Sequence, residues 1–431
     1  MIKYLFLLLI LTVGCDRTPL LKAPTPTPPV ITNDPTVNLP ARAEARSLCE
    51  GNCLVNSEDE VMRWNVIALN LISKNKTPPP KASRMLAILH ASIYDALINS
   101  NDNKKYFYTK PNRLVKFYKE SVIAGASQVI LSSFFPLDAT DISMEMYRTF
   151  AQLPNSQILI EGYRLGRDTA YTILNSRAND QISLPTPTLT GVGFWEPTFP
   201  DYKPYLLPGW ADTTPFVMEF AGQFRQAGPP NVNSAEYLNQ INEVRLVADK
   251  LSITPQNREI ALFWAADAGT VTPPGQWNEI LKIILKPRVR TLEESAEAYL
   301  LLNLALADAA ISAWDMKYYF FLWRPISAIR NQGYTTWVPF MDTPPHPDYV
   351  SGHSTFSGAA SKVLALYFGT DNIAFTYKSA GFTRSFSSLS EAATEASESR
   401  ILGGIHTRSA CEDGLKAGRE VGTWVFENAL K

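Results

Sequence analysis

The chain has 431 residues, 45% of them hydrophobic and 19% charged, with a net charge of −1 at pH 7. That length can bury a large core and could hold two or three lobes. The balanced charge, with no massed basic run, excludes a nucleic-acid surface, and the composition is ordinary for a globular protein.

Residues 1–15 (MIKYLFLLLILTVGC) combine Lys3, a short apolar core and a small residue before Cys15. This is the pattern of a secretion signal, too short to span a bilayer. The ending Thr12-Val13-Gly14-Cys15 resembles a bacterial lipoprotein cleavage box, which would make Cys15 a lipidated N-terminus in the cell envelope; simple secretion is the alternative. Residues 16–55 begin with a stretch rich in Pro, Thr and Asn and without apolar period, which reads as a tether. In an exported chain Cys49 and Cys53 either close a small disulfide loop or remain free thiols.

From Asn56 the pattern turns helical. Ser57 and Glu60 form a capping-box signature ahead of VMRWNVIALNLISKN, and Ala82 to Asn99 forms a second helix after three prolines. His90 lies inside that second helix and reads as a structural histidine. Further helices are predicted near 117–133, 138–152, 155–178, 235–251, 256–268, 277–284, 291–313 and 355–368. Gly162, Gly166 and Ala170 allow one of these to approach a neighbour closely. Between 181 and 215, Trp195, Pro197, Pro204, Pro208 and Trp210 suit a long packed loop, since aromatic residues are depleted in disordered segments. No run of strand-like alternation stands out. The expected fold is mainly α, with an N-terminal bundle and loop over 56–230 and a second bundle over 231–431.

The chemistry concentrates in the last quarter. Lys317 and Arg324 are seven positions apart, two helical turns, so one helix could project both from one face; Pro325 predicts a break near Arg324. Ser351-Gly352-His353 places a hydroxyl, an unhindered amide and an imidazole at a predicted helix start, a natural anion site. Ser399-Arg400 and Gly404-x-His406 add a cation and a further imidazole. Three fixed cations suit a tetrahedral oxyanion of multiple charge, phosphate or vanadate. The two histidines add either a nucleophile and an acid, or a ligand and an acid/base.

In this order, the three segments resemble the shared signature of vanadium-dependent haloperoxidases and type 2 phosphatidic acid phosphatase-like acid phosphatases; Val350 departs from the usual proline. The string Arg84 to Ala96 is also similar to the first bundle helix of bacterial haloperoxidase-like proteins, and the two-bundle count leans on this likeness. The resemblance implies one vanadate per chain, its oxygens neutralised by Lys317, Arg324 and Arg400 and hydrogen-bonded by Ser351 and Gly352. His406 would be the direct vanadium ligand and His353 the acid/base, while Lys317 would also polarise peroxide. Asp267, in a Trp-x2-Asp segment before Thr272-Pro273-Pro274, would orient Arg400. The implied substrates are hydrogen peroxide and a halide, and the product a hypohalous acid equivalent. The phosphatase alternative uses His406 as nucleophile, through a phosphohistidine, and His353 as acid.

Two flanking residues favour the haloperoxidase. Trp314 sits where these enzymes carry tryptophan. His346 sits where bromoperoxidases carry histidine and chloroperoxidases phenylalanine, which implies iodide or bromide; otherwise His346 is a surface residue of a proline loop. Lipid phosphatases usually have several membrane spans, and no apolar run beyond the signal reads as one. A non-enzymatic lipoprotein would lack at least one pocket residue, and none is missing.

Overall fold

The first helix, α1 (Glu60–Lys74), begins at Asp59, whose carboxylate accepts from the backbone N–H groups of Val61 and Met62. A carboxylate there satisfies two orphan donors and complements the helix dipole, so Asp59 is the cap in place of the expected Ser57. The computed structural model describes residues 59–98, 104–110, 116–154, 156–180, 189–288 and 291–431. The signal sequence (1–15), the tether (16–55) and Cys49 and Cys53 lie outside the described residues.

Thirteen α-helices follow one another among the described residues. After α1 come α2 (Pro79–Leu97), α3 (Lys119–Phe134), α4 (Ala139–Gln152) and α5 (Gln157–Ser176). Gly162 and Gly166 set α5 directly on α3, as the sequence predicts. A Cβ at Gly166 would stand 2.0 Å from the Val122 carbonyl oxygen. The loop from 189 to 234 is pinned to the rest by Trp195 N–H to Phe321 O (2.9 Å) and Leu206 N–H to Pro345 O (2.8 Å). Then come α6 (Ala235–Val247), α7 (Pro255–Phe263), α8 (Thr272–Leu285), α9 (Leu292–Phe320), α10 (Pro325–Asn331), α11 (Gly352–Phe368), α12 (Leu389–Leu402) and α13 (Arg408–Asn428). In α8 the two prolines occupy the first turn, where a missing N–H costs nothing.

Helix α9 is the axis of the molecule. A Thr291/Glu294 capping box starts it. Leu300, Leu302, Leu304 and Leu306 are all buried, so neighbours cover every face. It packs on α2 on one side and on α11 and α13 on the other, and most helices share one continuous apolar core. Among the described residues α9 alone is long and apolar enough to cross a bilayer. This corrects the reading that no segment after the signal qualifies, but 94% of its most apolar window is buried in the protein, so the hydrophobicity serves a core.

Helices α11 and α13 approach through glycine. Cβ atoms at Gly414, Gly418 and Gly422, one per turn of α13, would stand 2.9, 2.2 and 2.5 Å from the carbonyl oxygens of Ser351, Thr355 and Ala359. The sequence reading does not anticipate α12, α13 or the antiparallel hairpin of β1 (Phe375–Ser379) and β2 (Phe382–Phe386). Each strand has only five residues. The turn at Ala380-Gly381 has φ of 50° and 84°, the left-handed pair that two-residue hairpins need.

Candidate active site

The two cations first read as sharing one helix face do not. Helix α9 ends at Phe320, Phe321 adopts a left-handed conformation, and Arg324 is extended as the N-cap of α10. Pro325 forbids helix at Arg324, as expected, but the chain turns three residues earlier. Lys317 and Arg324 still converge, brought together by that reversal.

Lys317 is fully buried. Its ammonium donates to the carbonyl oxygens of Pro347 (2.8 Å), Asp348 (3.2 Å) and Val350, and lies over the Trp314 ring at 5.9 Å. The cation therefore anchors the loop that leads into α11. That helix starts at Gly352 with Ser351 as N-cap, its hydroxyl accepting from Ser354 N–H at 3.3 Å. Ser351 N–H donates to Ala410 O in α13 at 2.8 Å. The helix start, with its unsatisfied N–H groups, is thus fixed from two sides. A Cβ at Gly352 would make ordinary contact with the Trp314 indole, at 3.6 Å.

Arg324 is also fully buried. Nε donates to His346 O (2.6 Å), Nη1 to Ile405 O and to His406 Nε2 (3.2 Å), and Nη2 to His346 Nδ1 (2.9 Å). A guanidinium can only donate, so His406 Nε2 and His346 Nδ1 both carry lone pairs. His346 Nδ1 also lies 3.3 Å from Pro347 O. The shorter contact to an obligate donor decides the tautomer, with the proton on Nε2. His346 stacks obliquely on Trp314 at 5.2 Å and is buried, which removes the surface-residue alternative.

Arg400, at the end of α12, gives Nη1 to Trp264 O at 3.3 Å, while Nε and Nη2 are buried without a protein partner. Asp267 does not hydrogen-bond to it. The residue is exposed, and it acts on Arg400 through charge, as the main carboxylate stabilising that guanidinium. The expected orienting pair is therefore replaced by a backbone carbonyl, because α7 ends at Phe263 and presents the Trp264 carbonyl instead. His353, half-buried, donates from Nε2 to Ala265 O at 3.0 Å, so Nδ1 is its basic nitrogen.

One residue of the site escaped the sequence reading. Asp348 is fully buried; Oδ1 lies 2.6 Å from His406 Nδ1, and Oδ2 accepts from Thr407 Oγ1 (2.8 Å) and Thr407 N–H (3.3 Å). The only signal was a carboxylate between His346 and Ser351, in a run dominated by prolines. His90 is structural as expected, bonded through Nε2 to Asn65 at 3.0 Å and stacked on Tyr299. Cys411 is a buried free thiol.

The electrostatics follow from burial of like charges. Burial, with Arg324 beside it, pulls the Lys317 ammonium well below its ordinary value, and Asp348 partly offsets this. Burial lowers Arg324 and Arg400 to about 10. Burial, followed by the neighbouring cations, pushes His346, His353 and His406 well below 6.5, so all three are neutral. Three cations against one carboxylate leave a positive excess that an oxyanion of multiple charge would neutralise. The donors that fit such an anion are the partnerless Nε and Nη2 of Arg400 and the helix start, while the His406 Nε2 lone pair accepts from Arg324 Nη1. Among the described residues no group of three or more His, Cys, Asp or Glu could chelate a metal cation.

The fold and this pocket define a helical-bundle protein with a buried cluster of cations and histidines. A family model for the second helical-bundle domain of VCPO matches residues 297–431. The vanadium chloroperoxidase of Curvularia inaequalis is 25% identical over 401 residues, covering 72% of this chain; the match spans 65% of that relative's length. The crystal structure of a bacterial vanadium-dependent iodoperoxidase superposes with a TM-score of 0.79 at 29% identity, over 87% of this chain and 97% of that one. A bacterial vanadium-dependent chloroperoxidase in its holo form gives 0.68 at 15% identity, over 81% and 92%, a likeness of fold. Residues 297–431 thus match the second helical-bundle domain of VCPO, and most of the chain is similar to vanadium haloperoxidases.

Proposed function

We propose that the protein is a vanadate-dependent peroxidase that oxidises iodide, and bromide more slowly, with hydrogen peroxide to a hypohalous acid equivalent. The observation that carries this reading is the pair of partnerless donors on buried Arg400, set in a pocket of excess positive charge with a histidine lone pair at Arg324. Arg324 and Arg400 would hold the oxygens of vanadate, helped by the Ser351 hydroxyl, the Gly352 N–H and the charge of Lys317, whose three N–H groups rest on carbonyl oxygens, and His406 Nε2 would hold its central atom in place of its contact with Arg324. When bound, vanadate supplies Lewis acidity that makes peroxide electrophilic. His353 Nδ1 accepts and returns the proton of the incoming peroxide. Lys317, held on three carbonyl oxygens, keeps a positive charge beside the reacting oxygen.

The halide assignment is supported by His346, whose Nε2–H is a donor beside Trp314, and by the likeness to a bacterial iodoperoxidase. The ease of oxidation also favours iodide over bromide and bromide over chloride. The N-terminal signal, with Cys15 after Gly14, supports export and lipid anchoring in the cell envelope; incorporation of labelled fatty acid, lost in Cys15→Ser, would test it.

The deciding assay strips the protein with chelator, restores orthovanadate, and follows iodide and bromide oxidation beside p-nitrophenyl phosphate hydrolysis. Vanadate-dependent halide oxidation, abolished in His406→Ala, is expected. Fast ester hydrolysis that vanadate only inhibits would assign the phosphatase chemistry instead.

A further inference from the structure

His406 can serve as a ligand only if Nε2 keeps its lone pair. A neutral imidazole carries one proton, and whichever nitrogen holds it cannot bind an electrophilic centre. For a buried imidazole, the neighbouring hydrogen-bond partners make the choice.

Asp348 is placed to make it. Its Oδ1 lies 2.6 Å from Nδ1 of His406, and a carboxylate can only accept there, so the proton is on Nδ1. The other oxygen accepts both the hydroxyl and the amide of Thr407, the residue that caps α13. The carboxylate plane is therefore fixed by the same helix start that carries His406. The main chain of Asp348 is held as well, its N–H by Leu322 O at 3.0 Å and its C=O by the Lys317 ammonium at 3.2 Å. One residue thus joins all three segments of the site: the end of α9, the loop into α11, and the start of α13. Asp267, outside on the exposed rim, has no such contacts.

We propose that Asp348 is the positioning residue of the oxyanion site, accepting the Nδ1–H of His406 so that Nε2, which here accepts from Arg324 Nη1 at 3.2 Å, keeps the lone pair an anion's central atom would take. Carboxylates behind metal-bound histidines act in this way elsewhere, and their loss weakens the ligand sphere through the histidine. The proposal rests on vanadate binding as read above, and its test is independent of halide chemistry.

Two measurements on the full chain test it. Histidine labelled with nitrogen-15 reports the tautomer of each ring, and with four histidines in the sequence, His406→Ala assigns the one that matters. The wild-type spectrum is expected to show His406 protonated at Nδ1; a ring protonated at Nε2 overturns the proposal before any change at Asp348. Equilibrium dialysis then gives the vanadate dissociation constant of wild type, Asp348→Asn, His406→Ala and the double variant. Asp348→Asn is expected to weaken binding roughly 10–100-fold. In the His406→Ala background the same change should cost less than about threefold, because a residue that acts through another loses its effect when that other is gone. An equal loss in both backgrounds would assign Asp348 a merely structural role. Should Asp348→Asn fail to fold, Thr407→Val removes one of the bonds that orient the carboxylate, and a several-fold loss that again disappears without His406 is expected; no loss overturns the idea. A wild-type protein that binds vanadate but oxidises no halide would refute the peroxidase reading and leave this one standing.

Discussion

Arg400 offers the sharpest test of the pocket, because two of its three nitrogens, Nε and Nη2, have no partner in the protein. If these donors exist for the anion, Arg400→Met, which keeps bulk and removes every donor, deletes two charge-assisted hydrogen bonds. At about 1.5–3 kcal/mol each, the loss is about 3–6 kcal/mol of binding. That corresponds to roughly two to four orders of magnitude in the vanadate dissociation constant. Arg400→Lys keeps the charge but cannot span two oxygens, so it should fall between. Equilibrium dialysis of the chelator-stripped variants against vanadate measures the loss directly, and thermal unfolding of the same samples checks the fold. A folded Arg400→Met protein within about tenfold of wild type would refute the reasoning, since even one such bond exceeds that. The anion would then sit elsewhere or be held by Lys317 and Arg324 alone.

Three further outcomes follow from the same contacts. His346→Phe removes the acceptor that Arg324 Nη2 now meets at 2.9 Å, and should lower the iodide-to-chloride rate ratio measured at fixed peroxide; an unchanged ratio would dissociate His346 from halide choice. Gly418→Ala drives a methyl into Thr355 O and should cost roughly 1–3 kcal/mol in denaturant unfolding, with no loss marking a looser α11–α13 contact than described. Buried Asp308 accepts the backbone N–H groups of Phe216, Val217 and Met218, so Asp308→Ala should destabilise by roughly 2–5 kcal/mol. Burial also raises Asp308 and Asp95 to about 6. The folded chain then holds these protons more tightly than the unfolded chain, so their contribution is full below about pH 4 and is lost as pH rises through about 6. Asp308→Asn should flatten that part of the pH profile of the melting temperature; an unchanged profile would refute the assignment.

What the sequence disclosed depended on how local each cause was. Apolar period and caps placed α2, α3, α4 and α6 close to their observed positions, because those signals lie within a few residues of the elements they define. Gly162 and Gly166 were legible for the same reason, while the α13 stripe of Gly414, Gly418 and Gly422 was not, since α13 itself was unassigned. The hairpin at 375–386 was too short to separate from chance alternation. At the site, Lys317, Arg324, Ser351, Arg400 and His406 stood out because each carries chemistry in an unusual local context. Their geometry did not. A helix face was the simplest way to join residues seven apart, yet the left-handed turn at Phe321 achieves the convergence without any sequence marker such as glycine.

Asp348 was missed for a deeper reason, while Asp267 was read as the partner of Arg400. Both are carboxylates near prolines, and only tertiary structure decides which one faces the buried cations. Asp348 meets His406 across 58 positions of sequence, so no local pattern could report the contact. Charge arithmetic could have demanded it: three cations buried together require a buried partner, and an exposed aspartate cannot supply one at full strength, because water screens it. Asp267 reaches Arg400 through charge, whereas buried Asp348 offsets Lys317 and Arg324 and also holds the histidine on which the anion would sit.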